Sequence, residues 1–237
     1  MSHQMEQTTQ GEHDNLWTPV RRYLVERDRL FLRIRTGVRL HELIGQMIVI
    51  STLFAAAYGI TVGAYAGGWQ PLYNAIKFPT TLLATFLLCV LALHVLGSLV
   101  GTRLSLAQIA SVVLSAIVVT TTLLASLTPA LGFLMLTSPG DYSFVVLVNL
   151  IAIVACGACG ARFALIAASE AQWEPPKFLA RFSRFMQAWM LLYGLVGLQM
   201  LWLFRPYFRE TSVFVRPSGE SAFEHGWKLL LHVLHLG

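Results

Sequence analysis

The chain has 237 residues, of which 56% are hydrophobic and only 12% charged, with a formal net charge of +5. Soluble domains carry roughly twice that charged fraction, so this balance and a mean hydropathy of +0.63 exclude a disordered chain, a coiled coil and an ordinary soluble globule. An all-α polytopic membrane protein is what remains, and the arginines that produce the positive charge sit beside apolar segments, where they set topology and meet anionic head groups rather than nucleic acid.

Residues 1–15 contain no apolar run and read as a mobile polar N-terminus. Thr18 before Pro19 is an N-cap followed by proline at the first helical position. Val20, Leu24, Phe31, Ile34 and Val38 then recur at helical spacing, with Arg21, Arg22, Arg29 and Arg33 on the remaining surface. Residues 16–42 are thus expected to form a cytoplasmic basic amphipathic helix whose apolar stripe lies on the bilayer or on a partner. The first apolar stretch begins only near Leu43, too late for a cleaved signal peptide, and is expected to act as an uncleaved anchor.

About 20 apolar residues cross a bilayer core. Five such segments follow, from Leu43 to Tyr65, Pro79 to Val100, Leu106 to Leu127, Tyr142 to Ala161 and Phe185 to Phe204, giving a transmembrane bundle over residues 43–204. The fourth helix can run on past Arg162 to Ser169. Pro129 is expected to end or kink the third, leaving Pro129 to Leu136 as a short re-entrant or interfacial piece. Seven arginines precede the first span, Arg103 lies between the second and third, and Arg162, Lys177, Arg181 and Arg184 lie between the fourth and fifth. The opposite links offer only Lys77. The positive-inside rule then places the N-terminus in the cytoplasm and the C-terminus outside, with Arg205 and Arg209 a mild conflict. In the extracytoplasmic tail, residues 205–237, Phe223, Trp227, Leu230 and Leu234 form one face of an amphipathic helix, and His225, Lys228, His232 and His235 the other.

Small residues spaced for close helix approach are frequent: Gly59, Gly63 and Gly67 in the first span, Gly97 and Gly101 at the end of the second, Gly157 and Gly160 in the fourth, Gly194 and Gly197 in the fifth. Packing inside one bundle and an interface with a partner both remain open readings. His94 is the one histidine well inside a span, with Asn149 and Gln199 as candidate hydrogen-bond partners. Cys156-Gly-Ala-Cys159 has redox CxxC spacing, but in an apolar helix the cysteines read first as small packing residues. Glu42, Asp141 and Glu170 fall at predicted membrane edges, and lysine is absent from the predicted spans, which disfavours a coupled transporter and a retinal Schiff base. No nucleophile elbow, zinc-protease helix or phosphate loop occurs. Neither catalytic residues nor a metal site nor a cofactor is expected. Arg29, Arg33, Arg103 and Arg205 are candidate contacts for lipid phosphate or a partner carboxylate.

Three stretches carry a resemblance: Lys77-Phe-Pro79; Gly97 through Arg103 to Gln108; and Leu192-Tyr193-Gly194 through Trp202 to Tyr207. Over roughly Ala57 to Phe208 the chain resembles a family of uncharacterised bacterial multi-pass integral-membrane proteins, which implies a bacterial inner membrane and no particular activity. It also resembles, in span layout and the glycine-rich second link, the Yip-type membrane proteins, which work through protein partners. The expected function is a non-enzymatic membrane component that anchors or assembles with other membrane proteins, or with itself, through its glycine faces and interfacial helices. No nucleic acid or small-molecule substrate is expected. The alternatives are a homo-oligomeric channel lined by Thr120, Thr121, Asn149 and His94, and a redox or cofactor protein using Cys156, Cys159 and His94.

Overall fold

The computed structural model describes residues 27–101, 104–137, 142–171 and 176–203. Among these residues there are six helices and no strand: α1 (Arg27–Thr36), α2 (Leu40–Ala66), α3 (Gln70–Val100), α4 (Leu106–Thr137), α5 (Tyr142–Glu170) and α6 (Pro176–Leu203). Helices α2 to α5 are each long and apolar enough to cross a membrane. The N-terminal 1–15 segment and the amphipathic tail helix expected within 205–237 lie outside the described residues.

The amphipathic segment preceding the first span is not one helix. It breaks at Gly37 (φ 74°) and Arg39 (φ 50°), and Arg33 stitches the break. Its guanidinium donates to the carbonyls of Val38 (3.3 Å) and Arg39 (3.2 Å) and to Glu42 (3.4 Å). Leu30, Phe31 and Ile34 of α1 are buried in the chain's own core, with Phe31 against Phe163 of α5 at 5.5 Å between ring centroids. The stripe therefore seals one end of the bundle, and Val38, displaced from it by the break, is 57% exposed.

The α2–α3 link is shorter than the hydropathy pattern implies. It consists of residues 67–69, with Gly67 (φ 79°) and Gly68 (φ 57°) both left-handed, a conformation that glycine adopts at no steric cost. Helix α3 starts at Gln70, nine residues before Pro79, so Pro79 lies inside a helix and Lys77 belongs to that helix rather than to a link. Pro129 likewise lies inside α4, which continues unbroken to Thr137. The expected break and re-entrant piece are replaced by one helix about 48 Å long. A proline withholds a single N–H, which leaves one carbonyl four residues back, that of Ala75 or Ala125, without its helical donor and does not break either helix. The fourth predicted span does run on as expected, to Glu170.

Helix α4 is the centre of the bundle. Every position from Ile109 to Val119 is buried, as expected of a helix apolar all round. Its main neighbours are α2 and α5, α2 also packs closely on α3, and α6 is held more loosely against α3 and α5. Outward positions are apolar instead of charged: Leu87, Leu91 and Val95 on α3, Leu147, Ile151 and Val154 on α5, Leu191 and Leu195 on α6. An apolar exterior of this extent is what lipid, rather than water, requires.

Candidate functional site

The polar groups of the bundle gather between α2, α3 and α5 near the α2–α3 turn. Gln70, Asn74, Lys77, Thr81 and Thr85 follow one another at steps of four, three, four and four residues, which places them on one face of α3. All five are at most 2% exposed. The hydroxyls of Thr81 and Thr85 donate to the carbonyls one turn back, Lys77 and Thr81, at 2.7 and 2.8 Å. Across the seam, Tyr58 Oη donates to Asn149 Oδ1 at 2.9 Å, and Asn149 Nδ2 donates to the Val145 carbonyl at 2.8 Å. The Tyr58 ring stands edge-on to Phe78, with centroids 5.0 Å apart at 85°. In surroundings of low polarity such matched groups add direction to helix packing, and a buried ammonium is costly unless it is matched.

Glycine makes this closeness possible. A methyl group on Gly59 would overlap the backbone of Asn74, and one on Gly63 would overlap the backbone of Gln70 and Pro71. On the other side of the bundle a methyl on Gly160 would overlap the Thr120 hydroxyl and the Ala116 carbonyl. These three glycines are packing positions inside the chain. Gly67 and Gly101 are not packing positions: both have positive φ and cap the C-terminal ends of α2 and α3. Gly97 is buried beside a narrow apolar cavity, and Gly197 would be in ordinary contact with Thr85. Gly157 and Gly194 stand apart, because a methyl on either would meet no atom of the described residues within 4 Å.

The remaining candidates disperse. His94 is half-buried, and its Nδ1 has no hydrogen-bond partner among the described residues. Its expected partner Asn149 is taken by Tyr58, and Gln199 lies half-buried on α6. Thr120, Thr121 and Thr122 bond carbonyls of their own helix at 2.7 to 2.9 Å, and Thr121 and Asn149 are enclosed in the core of a single bundle. Cys156 is buried while Cys159 is exposed on the outer side of α5. Arg29 is exposed, Arg33 is used in the α1–α2 clamp, and Arg103 and Arg205 lie outside the described residues.

Sequence reasoning missed Tyr58, Gln70, Asn74 and Lys77. For the last three the signal was the helical spacing of polar residues through 70–85, which starting the span at Pro79 cut in two. No family model matches the chain, and neither a curated protein nor a solved structure does.

Proposed function

We propose that the chain is a non-enzymatic component of a bacterial cytoplasmic membrane, crossing it five times with α6 as the fifth span, and that it assembles there with other membrane proteins or with further copies of itself. The observation that carries this reading is the division among the glycines. Within a helix, glycine costs about 1 kcal/mol relative to alanine. Close backbone contact inside the chain accounts for Gly59, Gly63 and Gly160, whereas a methyl on Gly157 of α5 or Gly194 of α6 meets no atom of the described residues. A helix from outside the chain would supply the missing close contact.

The test is particle mass in lipid nanodiscs after gentle extraction, compared between the wild-type chain and Gly157→Leu and Gly194→Leu. Assembly through these faces predicts a mass above that of one chain, reduced by at least one substitution, with the melting temperature of the single chain unchanged. A single-chain mass for the wild type, or an assembly indifferent to both substitutions, overturns the reading.

A further inference from the structure

Helix α2 carries one outward column. Glu42, Gln46, Val49, Leu53 and Ile60 follow at steps of four, three, four and seven residues, which keeps them on one helix face, and all five are exposed. Val49, Leu53 and Ile60 are 48 to 54% exposed. In a helix with the length and apolarity of a membrane crossing, that part of the column is a surface for lipid chains. Towards the start of α2 the column turns polar and runs up to the α1–α2 break. There Arg39 stands ten residues before Val49, about 15 Å along the axis. Arg39 holds φ 50°, a conformation that is costly for a residue with a Cβ. Its side chain is 71% exposed, and its contact with Glu42, at 3.8 Å, is too long for a hydrogen bond. Arg33 takes the same carboxylate at 3.4 Å. From Arg29 to Glu42 the chain has four arginines and a single acidic residue, so the break keeps a positive charge after this pairing.

An arginine at the end of an apolar column matches a molecule that is anionic at one end and apolar along the rest. We propose that this column is a docking surface for an anionic phospholipid, whose phosphate oxygens accept from the Arg39 guanidinium and whose acyl chains lie along Val49, Leu53 and Ile60. The planar guanidinium presents paired N–H donors that fit two phosphate oxygens at once. An acidic peptide or a free phosphate would meet the charge but leave the apolar column bare. A zwitterionic lipid would cover the column but bring no net charge to the break. The inference needs α2 to cross a membrane and takes nothing from the assembly reading, whose glycines lie on α5 and α6, so either can fail while the other stands.

The experiment uses the full chain in mild detergent, titrated with dioleoyl phosphatidylglycerol or with dioleoyl phosphatidylcholine, and counts bound lipid by native mass spectrometry. Binding of phosphatidylglycerol is expected to saturate and to exceed that of phosphatidylcholine. Arg39→Gly and Arg39→Asn introduce residues that adopt this φ more readily than arginine. Each is expected to weaken phosphatidylglycerol binding about fivefold, the share of one arginine at an anionic surface. Arg162→Gln removes an equal charge from an exposed position on α5 and is expected to leave the affinity unchanged. Equal binding of the two lipids, or undiminished binding in both Arg39 variants, overturns the proposal. An equal loss in Arg162→Gln also overturns it, because the attraction would then be diffuse. Glycerol phosphate that displaces the lipid at equal concentration assigns the site to a soluble anion and overturns the lipid assignment.

Discussion

At the scale of single residues, a glycine's role is set by what a methyl group would meet. At Gly63 the neighbours are the backbone atoms of Gln70 and Pro71, which cannot turn aside as a side chain can. Gly63→Ala is therefore expected to lower stability by about 1 to 3 kcal/mol, the range for overpacking a filled interior. Gly157→Ala and Gly194→Ala meet nothing and are expected to leave the single chain as stable, or to gain up to about 1 kcal/mol from helix propensity. Thermal unfolding in detergent, read by the loss of the monodisperse peak, orders the three variants. A Gly63→Ala protein that melts with the other two would show that α2 and α3 are not held by this contact. The spacing of the glycines was legible in the sequence, but the same four-residue interval covers packing positions, helix caps and open faces. Only the neighbouring backbone tells these apart. The partner of Asn149 is a case of the same kind. The sequence pointed to His94, whereas the register of α2 against α5 gives Asn149 to Tyr58.

At the scale of elements, one side chain joins α1 to α4. Ser105 and Gln108 cap the start of α4 reciprocally: the Ser105 N–H donates to Gln108 Oε1 at 2.8 Å, and the Gln108 N–H donates to Ser105 Oγ at 3.2 Å. The other half of the amide, Nε2, donates to the carbonyls of Ile34 (3.0 Å) and Arg35 (3.2 Å), among the last of α1, which have no partner within that helix. Gln108→Glu separates the two roles. A glutamate still accepts from Ser105, but it cannot donate to α1 and sets a carboxylate against two carbonyl oxygens. Hydrogen exchange is expected to speed up at least tenfold across residues 30–36 while the first turns of α4 stay protected. Unchanged protection of α1 would mean that the burial of Leu30, Phe31 and Ile34 suffices to hold it. Element boundaries were the least legible part of the fold, for a physical reason. Proline is a strong breaker in water, and reading Pro79 and Pro129 as breaks shortened α3 by nine residues at its start and α4 by several at its end. In a membrane helix the loss of one N–H does not by itself end the helix. Moving the start of α3 back to Gln70 is also what exposes the 70–85 polar face as a single feature.

At the scale of the whole molecule, hydropathy alone gave the class of the protein, because an apolar exterior needs no knowledge of contacts. The four helices α2 to α5 meet the length and apolarity of a membrane crossing, and the central place of α4 follows from its lack of a polar side. Helix α6 begins in a basic stretch, so its role is the one on which the topology turns. With Lys77 inside α3, the α2–α3 link, residues 67–69, holds no cation, while Arg33, Arg35 and Arg39 flank the start of α2, and Arg162 in α5 and Arg184 in α6 lie on either side of the α5–α6 junction. This sharpens the asymmetry on which the proposed cytoplasmic N-terminus rests. In the proposed topology, crossing by α2 to α5 returns the chain to the cytoplasmic side, and α6, 28 residues and about 42 Å long, then carries the C-terminus out. Alkaline phosphatase fused after Gly237 is expected to be active and a green fluorescent protein fused there dark, with the opposite pattern for fusions between Glu170 and Pro176. Fluorescence at the C-terminus would reduce the crossings to four. It would lay α6 along the cytoplasmic face.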